Sequence, residues 1–124
     1  MSATPHVLLI EDEPNIAEAI RFLLSRDGLS VTVLDHGAKA MAVMREKVPA
    51  LVILDLMLPD ISGLEILTAM RGERAFRGVP VLMLTAKGQA RDREAAEKAG
   101  ASLFMAKPFA NAELMAAVRQ LLGA

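Results

Sequence analysis

Short apolar runs alternate along the chain with segments in which apolar residues recur every three to four positions. The runs are typical of buried strands, and the longer spacing is typical of one face of a helix. The predicted strands are 7–10, 30–34, 51–54, 79–84 and 102–106, and helices are predicted after Pro14, over 37–47, after Gly63, over 89–99 and from Asn111. This alternation, with short connections, predicts an α/β fold with a parallel sheet covered by helices on both faces.

Residues that favour helix ends support these bounds. Pro14 suits a first helical position, and Gly28 suits the position just past a helix end. Pro49 is expected to end the second helix, since proline cannot continue one. Asn111 is expected to cap the last helix with its side chain.

Composition narrows the class of protein. A chain of 124 residues with 53% hydrophobic residues predicts one domain over 1–124 with an ample core. The net charge of -1 and the pI of about 6.1 give no electrostatic footprint for direct nucleic-acid binding. The absence of cysteine excludes disulfides and thiolate metal sites. With no signal peptide and no apolar run long enough to insert into a membrane, we expect a soluble, cytoplasmic protein.

Reactive side chains follow the predicted strands at the point where each strand ends. Ligands of parallel α/β sheets bind just outside the carboxyl ends of the strands, so these side chains are expected to meet at one edge. They are Glu11, Asp12 and Glu13 after the first strand, Asp55 after the third, Thr85 after the fourth and Lys107 after the fifth.

Each of these residues has a simpler interpretation when taken alone. An acidic triplet favours a helix N-terminus, an aspartate after a strand favours a turn, and a lysine before proline is usually a loop residue. Together, however, the carboxylates of Glu11, Asp12 and Asp55 at one sheet edge repel one another and require a cation. Mg²⁺ suits them, because it takes one or two carboxylates plus water and phosphate oxygens.

The predicted site can also support phosphoryl chemistry. Asp55 beside Mg²⁺ can attack phosphorus and form an aspartyl phosphate. Lys107 can reach a phosphoryl oxygen as a point charge, and Thr85 can donate a hydrogen bond to one. For Phe104 two interpretations stay open, a fixed core aromatic and a moving part.

These motifs in this order resemble the response-regulator receiver domain, the CheY-like family, over residues 6–122. The segments that carry the resemblance are Leu-Leu-Ile-Glu11-Asp12-Glu13-Pro, Asp55-Leu-Met-Leu-Pro59 with Gly63 following, Leu-Thr85-Ala86, and Phe104-Met-Ala-Lys107-Pro108-Phe109. The resemblance implies a flavodoxin-like (βα)5 three-layer sandwich with a parallel five-stranded sheet of order 2-1-3-4-5, an order for which CheY itself is a known example.

The resemblance also implies roles for the site residues. Asp55 would accept a phosphoryl group from a phosphohistidine on a sensor histidine kinase or a histidine phosphotransfer protein. Asp12, Asp55 and the backbone carbonyl of Met57 would hold Mg²⁺, with Glu11 acting through water. The phosphoryl oxygens would be contacted by two residues, Lys107 and Thr85.

Two further features are implied by the resemblance. Phe104 would rotate inward as Thr85 moves, which would change the surface of helix four, strand five and helix five that a downstream effector reads. The Lys107–Pro108 bond would be cis. No small-molecule product would leave, so the expected chemistry is self-catalysed phosphoryl transfer and autodephosphorylation, and the protein is not expected to be an enzyme in the ordinary sense.

Some positions depart from the family pattern. Glu11 stands where aspartate is more usual, and Ser102-Leu103 replace an acidic pair. Met57 and Lys87 flank the site at variable positions. Because apolar Met57 offers attacking water no hydrogen-bonding partner, we expect that the phosphoryl group is not unusually short-lived.

Two other classes of function are an interaction module and a phosphatase. A receiver fold can serve as an interaction module that binds a partner without phosphorylation, although the complete acidic set argues against this. An aspartate-nucleophile phosphatase usually carries a second acid two residues after the nucleophile, and Met57 stands there. The six charged residues of the fourth helix are expected to be a solvated face, with a docking face as the alternative.

Overall fold

In the computed structural model, which describes residues 4–86 and 90–123, five strands form one parallel sheet in the order β2-β1-β3-β4-β5. The strands are β1 His6–Ile10, β2 Ser30–Leu34, β3 Leu51–Asp55, β4 Val81–Thr85 and β5 Leu103–Ala106. The helices are α1 Pro14–Arg26, α2 Ala40–Glu46, α3 Gly63–Gly72, α4 Ala90–Ala99 and α5 Asn111–Leu121, and a 3-10 turn covers Arg74–Phe76. The predicted flavodoxin-like fold and strand order are confirmed.

The sheet separates two apolar cores, and alternate residues of its central strands supply them. One core contains Leu8, Ile10, Val52, Leu54 and Met83 and is covered by apolar residues of α2, α3 and α4. The other contains Val7, Leu9, Leu51, Ile53 and Leu84 and is covered by α1 and α5. All five residues of β3 are buried, as expected of a central strand with helices on both faces.

The ends of α1 agree with the sequence, but the start of α2 does not. Pro14 is the first residue of α1, and Gly28 follows its end with a φ of +86°. The helix predicted over 37–47 begins only at Ala40. In the segment before it, the carboxylate of Asp60 accepts hydrogen bonds from the backbone N–H groups of Gly37 and Ala38, at 2.9 and 2.8 Å.

The predicted cap of α5 is wrong, because Ala110 holds the capping position and Asn111 is the first helical residue. The carboxylate of Glu113 reaches back and accepts a hydrogen bond from the N–H of Ala110 at 3.0 Å. The fourth strand begins at Val81 and not at residue 79. Residues 87–89, which include the variable position Lys87, lie outside the described residues.

Arg71, near the end of α3, ties three segments together on the side of the sheet that carries α4. Its guanidinium donates hydrogen bonds to the backbone carbonyls of Phe76 and Val79 at 2.8 Å each and of Gly100 at 2.9 and 3.1 Å. Carbonyls at the end of a helix lack intrahelical partners, and Gly100 directly follows α4. Arg71 therefore anchors the C-terminal end of α4 to the segment between α3 and β4.

Candidate functional site

The carboxyl edge of the sheet brings together most of the side chains singled out from the sequence. Glu11 directly follows β1, and Asp55 ends β3, the strand paired with β1. Lys107 directly follows β5. Residues of neighbouring parallel strands that pair with each other face the same side, and alternation puts all three of these side chains on the α1 and α5 side.

Lys107 binds two of the carboxylates at once. Its Nζ lies 2.6 Å from Glu11 Oε1 and donates a hydrogen bond of 3.0 Å to Asp55 Oδ2. Glu13 is more distant, with its Oε1 at 3.8 Å from the same Nζ. The ammonium therefore partly neutralises a cluster of acids that would otherwise repel one another.

Burial raises the free energy of the charged groups in this cluster. Glu11 and Asp55 are 1% and 3% exposed. Burial raises the pKa of Glu11 to about 7, although its contact with Lys107 acts in the opposite direction. Burial also lowers the pKa of Lys107, but the bonds to Glu11 and Asp55 outweigh it, and the pKa of Lys107 lies above its ordinary value.

The residues present fit a hard divalent cation. Single carboxylate oxygens of Glu11, Asp12 and Asp55 lie within 4.8 Å of one another. Among the described residues Glu11 Oε1 accepts no well-aligned hydrogen bond despite its close ion pair with Lys107, so this oxygen can still accept one from a metal-bound water. Glu11 and Asp12 also line an open cleft of about 320 Å³, through which an ion can enter. An all-oxygen set with space for water is the chemistry that Mg²⁺ prefers.

The loop after β3 is shaped by Asp55 and Gly63. Asp55 Oδ1 accepts a hydrogen bond of 3.0 Å from the N–H of Met57, which fixes the carboxylate from its other side. Gly63 donates to the carbonyl of Leu56 at 2.9 Å. A Cβ at Gly63 would overlap the carbonyl oxygen of Asp55 and lie 3.0 Å from the Cα of Leu56, so only glycine permits this approach. The side chain of Met57 is 61% exposed beside the site.

Thr85 and Phe104 belong to the other face of the sheet. Thr85 pairs with Ala106, and Met83 pairs with Phe104, so these four residues alternate onto the side covered by α3 and α4. Thr85 is fully buried, and its backbone carbonyl accepts a hydrogen bond of 2.7 Å from the N–H of Lys107. The backbone of Thr85 is therefore connected to the acidic site, while its side chain shares a face with Phe104.

Phe104 is half-buried. This exposure does not decide between the two interpretations left open by the sequence, a fixed core aromatic and a moving part. The residue packs against the core on the α4 side. Its outer face is covered by Arg93 of α4, whose Cζ lies 5.4 Å from the ring centroid. The Lys107–Pro108 bond is cis, as the resemblance implied.

Sequence reasoning missed two of these residues. Asp60 binds the backbone at the start of α2, a contact between distant parts of the chain that no local pattern announces. Arg93 was treated as part of a solvated face. Its position is clear only from the fold, because Arg93 lies three residues before Ala96, which the structure buries, and so shares its face of α4.

Comparison with known proteins agrees with this arrangement. The family model of the response regulator receiver domain matches residues 7–119. The transcriptional regulatory protein TcrX of Mycobacterium tuberculosis is 41% identical over 116 residues, which cover 94% of this chain and 49% of TcrX. The chain spans about half the length of the curated relatives it matches.

Solved structures of similar sequence have the same fold. A protein described as a response regulator from Chloroflexus aurantiacus superposes with a TM-score of 0.93 at 30% identity, over 98% of this chain and all of that one (100%). The beryllofluoride-activated receiver domain of Klebsiella pneumoniae RstA superposes with a TM-score of 0.88 at 28% identity, over 96% of this chain and 99% of that one.

The chain belongs to the response regulator receiver domain family. It is a phosphorylation-controlled signalling domain of the two-component type, and its relatives are response regulators and not ordinary enzymes. Within residues 4–86 and 90–123, none of the helices combines the length and apolar character needed to cross a bilayer.

Proposed function

We propose that residues 1–124 form a single receiver domain that is switched by phosphorylation of Asp55. The observation that carries the proposal is the environment of that carboxylate. Lys107 binds one of its oxygens, the N–H of Met57 binds the other, and Glu11 and Asp12 lie close enough to share a cation with it. A buried carboxylate fixed from two sides is oriented for attack on an incoming phosphorus atom.

Three groups of this chain would hold Mg²⁺. Asp12 and Asp55 would supply carboxylate oxygens, Met57 would supply its backbone carbonyl, and Glu11 would act through a coordinated water. The bound ion would neutralise negative charge on the carboxylates and on the phosphoryl oxygens. Lys107 already pairs with Glu11 and Asp55, so it supplies part of that neutralisation from the protein itself.

In the proposed transfer, a carboxylate oxygen of Asp55 attacks the phosphorus of a phosphohistidine. An O–P bond forms, the N–P bond breaks, and the imidazole of the donor leaves with the electron pair. Lys107 would then contact one phosphoryl oxygen and Thr85 another. Hydrolysis of the acyl phosphate later restores Asp55, so the chemistry is limited to self-catalysed transfer and autodephosphorylation.

The switch would pass from the acidic edge to the other face of the sheet through Thr85. The added phosphoryl group brings negative charge and strong acceptors, which attract the hydroxyl of Thr85. Movement of Thr85 would free space for Phe104 to turn inward, because both side chains lie on the face covered by α4. The surface formed by α4, β5 and α5 would change and be read by a downstream effector.

The proposed partners follow from this chemistry. The phosphodonor would be a sensor histidine kinase or a histidine phosphotransfer protein in the same compartment, which for this proposal is the cytoplasm. The relatives named as transcriptional regulators include further length that this chain does not match. We therefore propose no direct nucleic-acid contact by residues 1–124 themselves.

Intact mass after incubation with Mg²⁺ and acetyl phosphate tests the proposal. The wild type is expected to gain one phosphoryl group, and Asp55→Asn is expected to gain none. Glu46→Gln, which alters an exposed carboxylate at the C-terminal end of α2 and outside the cluster, should be phosphorylated like the wild type. A wild type that gains no mass would contradict the proposal and favour an interaction module that binds its partner without phosphorylation.

A further inference from the structure

A cation–π contact joins α4 to the aromatic side chain of β5. The guanidinium of Arg93 lies over the ring of Phe104, with 5.4 Å between Cζ and the ring centroid. A cation at this distance above an aromatic face is attracted by the negative face of the ring. The attraction depends on the ring's orientation, so it favours the orientation that the structure contains.

The position of Arg93 on its helix explains the contact. Ala96 is fully buried against the core, and Arg93 precedes it by three residues, which places both on the same side of α4. The ring is thus held between the apolar core on its inner side and the guanidinium on its outer side.

The same ring is the part expected to move. Phe104 pairs with Met83, and Thr85 lies two residues further along β4 on the same face of the sheet. An inward turn of the ring into space vacated by Thr85 would take its face away from Arg93. The stacking contact and the inward orientation therefore exclude each other.

We infer that Arg93 acts as an autoinhibitory latch, which holds Phe104 in the half-buried orientation of this structure and opposes the switch until Asp55 is phosphorylated. This inference rests on the proposed function, because it requires that the inward orientation accompany phosphorylation. A cation–π contact at a partly exposed site shifts such an equilibrium by about two- to five-fold. Loss of the latch should raise the population of the inward, phosphorylation-competent state by that factor.

The rate of phosphorylation reports this population. When the competent state is the minor one, the rate of modification by a small phosphodonor rises in proportion to its fraction. Phosphorylation of the whole chain by acetyl phosphate with Mg²⁺, followed by intact mass over time, is the measurement. Arg93→Gln is expected to be phosphorylated about two- to five-fold faster than the wild type.

Arg91→Gln is the matched control, because Arg91 is an exposed arginine on the same helix and its loss changes the net charge equally. It should react at the wild-type rate or somewhat more slowly. Removal of a positive charge by itself would weaken the attraction of an anionic donor and slow the reaction. An increase confined to Arg93→Gln is therefore opposite in sign to a simple charge effect.

A second pair of variants asks whether Arg93 acts through the ring. In a Phe104→Leu background, which has no aromatic face, Arg93→Gln should change the rate no further. An unchanged rate in Arg93→Gln, or an increase that persists without the ring, would overturn the inference while leaving the proposed function intact. A wild type that is not phosphorylated at all would remove the proposed function, and the latch with it.

Discussion

His6 and Glu11 stand at the two ends of β1, and each is a titratable residue at an edge of the same sheet. At the amino edge, the two ring nitrogens of His6 lie 3.0 Å from the hydroxyls of Ser30 and Thr32 on the neighbouring strand. At the carboxyl edge, Glu11 is buried with Asp55 against a single ammonium group, that of Lys107.

The two edges differ in how completely their polar and charged side chains are paired within the protein. Neutral imidazole and hydroxyl groups can exchange hydrogen bonds without any net charge, so the amino edge needs no external partner. Two buried carboxylates and one lysine leave negative charge at the carboxyl edge, which favours an added cation. The contrast indicates that the acidic edge is arranged for binding and not for stability.

The largest effect is expected from Lys107→Met, which removes the cation from the acidic edge. Glu11 and Asp55 would be left buried together, and the free energy of unfolding without Mg²⁺ should fall by about 2–4 kcal/mol. Part of that loss should return on addition of Mg²⁺, because the ion can replace the missing charge. Urea unfolding at pH 7 with and without Mg²⁺ measures both quantities.

Lys98→Met is the control for that experiment, since Lys98 is an exposed lysine on α4. Its effect should stay within about 0.5 kcal/mol and should not depend on Mg²⁺. Equal effects of the two substitutions would mean that the acidic edge does not depend on its lysine, and the contrast with the amino edge would disappear.

Gly63→Ala is expected to have the next largest effect. The new methyl group would overlap the carbonyl of Asp55, and since the obstacle is backbone it cannot rotate away. We expect a loss of about 1–3 kcal/mol in the free energy of unfolding. Gly72→Ala on the same helix meets nothing within 4 Å and should be neutral or stabilising, by up to about 1 kcal/mol. A similar response at both glycines would show that the approach to Asp55 is not tight.

Met57→Asn tests access of water to the phosphorylated site. The exposed thioether offers attacking water no strong hydrogen bond, whereas an amide would orient it. Phosphorylated Met57→Asn should lose its phosphoryl group several-fold faster than the wild type, on the order of 1 kcal/mol in activation free energy. The decay of the phosphorylated mass after removal of the donor measures this rate, and an unchanged decay would rule the explanation out.

The smallest effect is expected at the amino edge and concerns pH. Burial, with a smaller contribution from Lys47, lowers the pKa of His6 below its ordinary value of 6.5. As the pH falls, the unfolded chain therefore binds a proton before the folded one does, so stability present above pH 6.5 is lost as the pH falls through the folded-state pKa.

The matching variant is His6→Gln, which cannot take up that proton. Its free energy of unfolding should fall less steeply between pH 7 and pH 5 than that of the wild type. All other titrating groups are common to both proteins, so the difference between the two slopes isolates His6. Identical slopes would mean that burial and Lys47 do not favour the neutral ring in the folded protein.

The sequence was sufficient for the fold and for the residues at the acidic edge, because both depend on local order. Each reactive side chain directly follows an apolar run, and a parallel sheet gathers such positions at one edge. The strand order came from the family resemblance and not from the hydrophobic pattern. What the pattern could not give was the pairing of Lys107 with both Glu11 and Asp55, which depends on side-chain directions.

At both helix starts that were predicted wrongly, a carboxylate binds nearby backbone N–H groups. The first N–H groups of a helix can be satisfied by any acceptor within reach, including one from far along the chain. At the predicted start of α2 that acceptor is Asp60, 22 and 23 residues away from the groups it binds. At α5 it is Glu113, which moves the capping position from Asn111 to Ala110.

The bonds made by Arg71 determine how α4 can be displaced. The guanidinium donates hydrogen bonds to the carbonyl of Gly100, so the C-terminal end of α4 is held in place. A rigid helix that is pinned at one end can tilt but cannot slide, so its displacement is smallest at Ala99 and grows toward Ala90. A small shift near Thr85, close to the N-terminal end of α4, would thus tilt the whole helix.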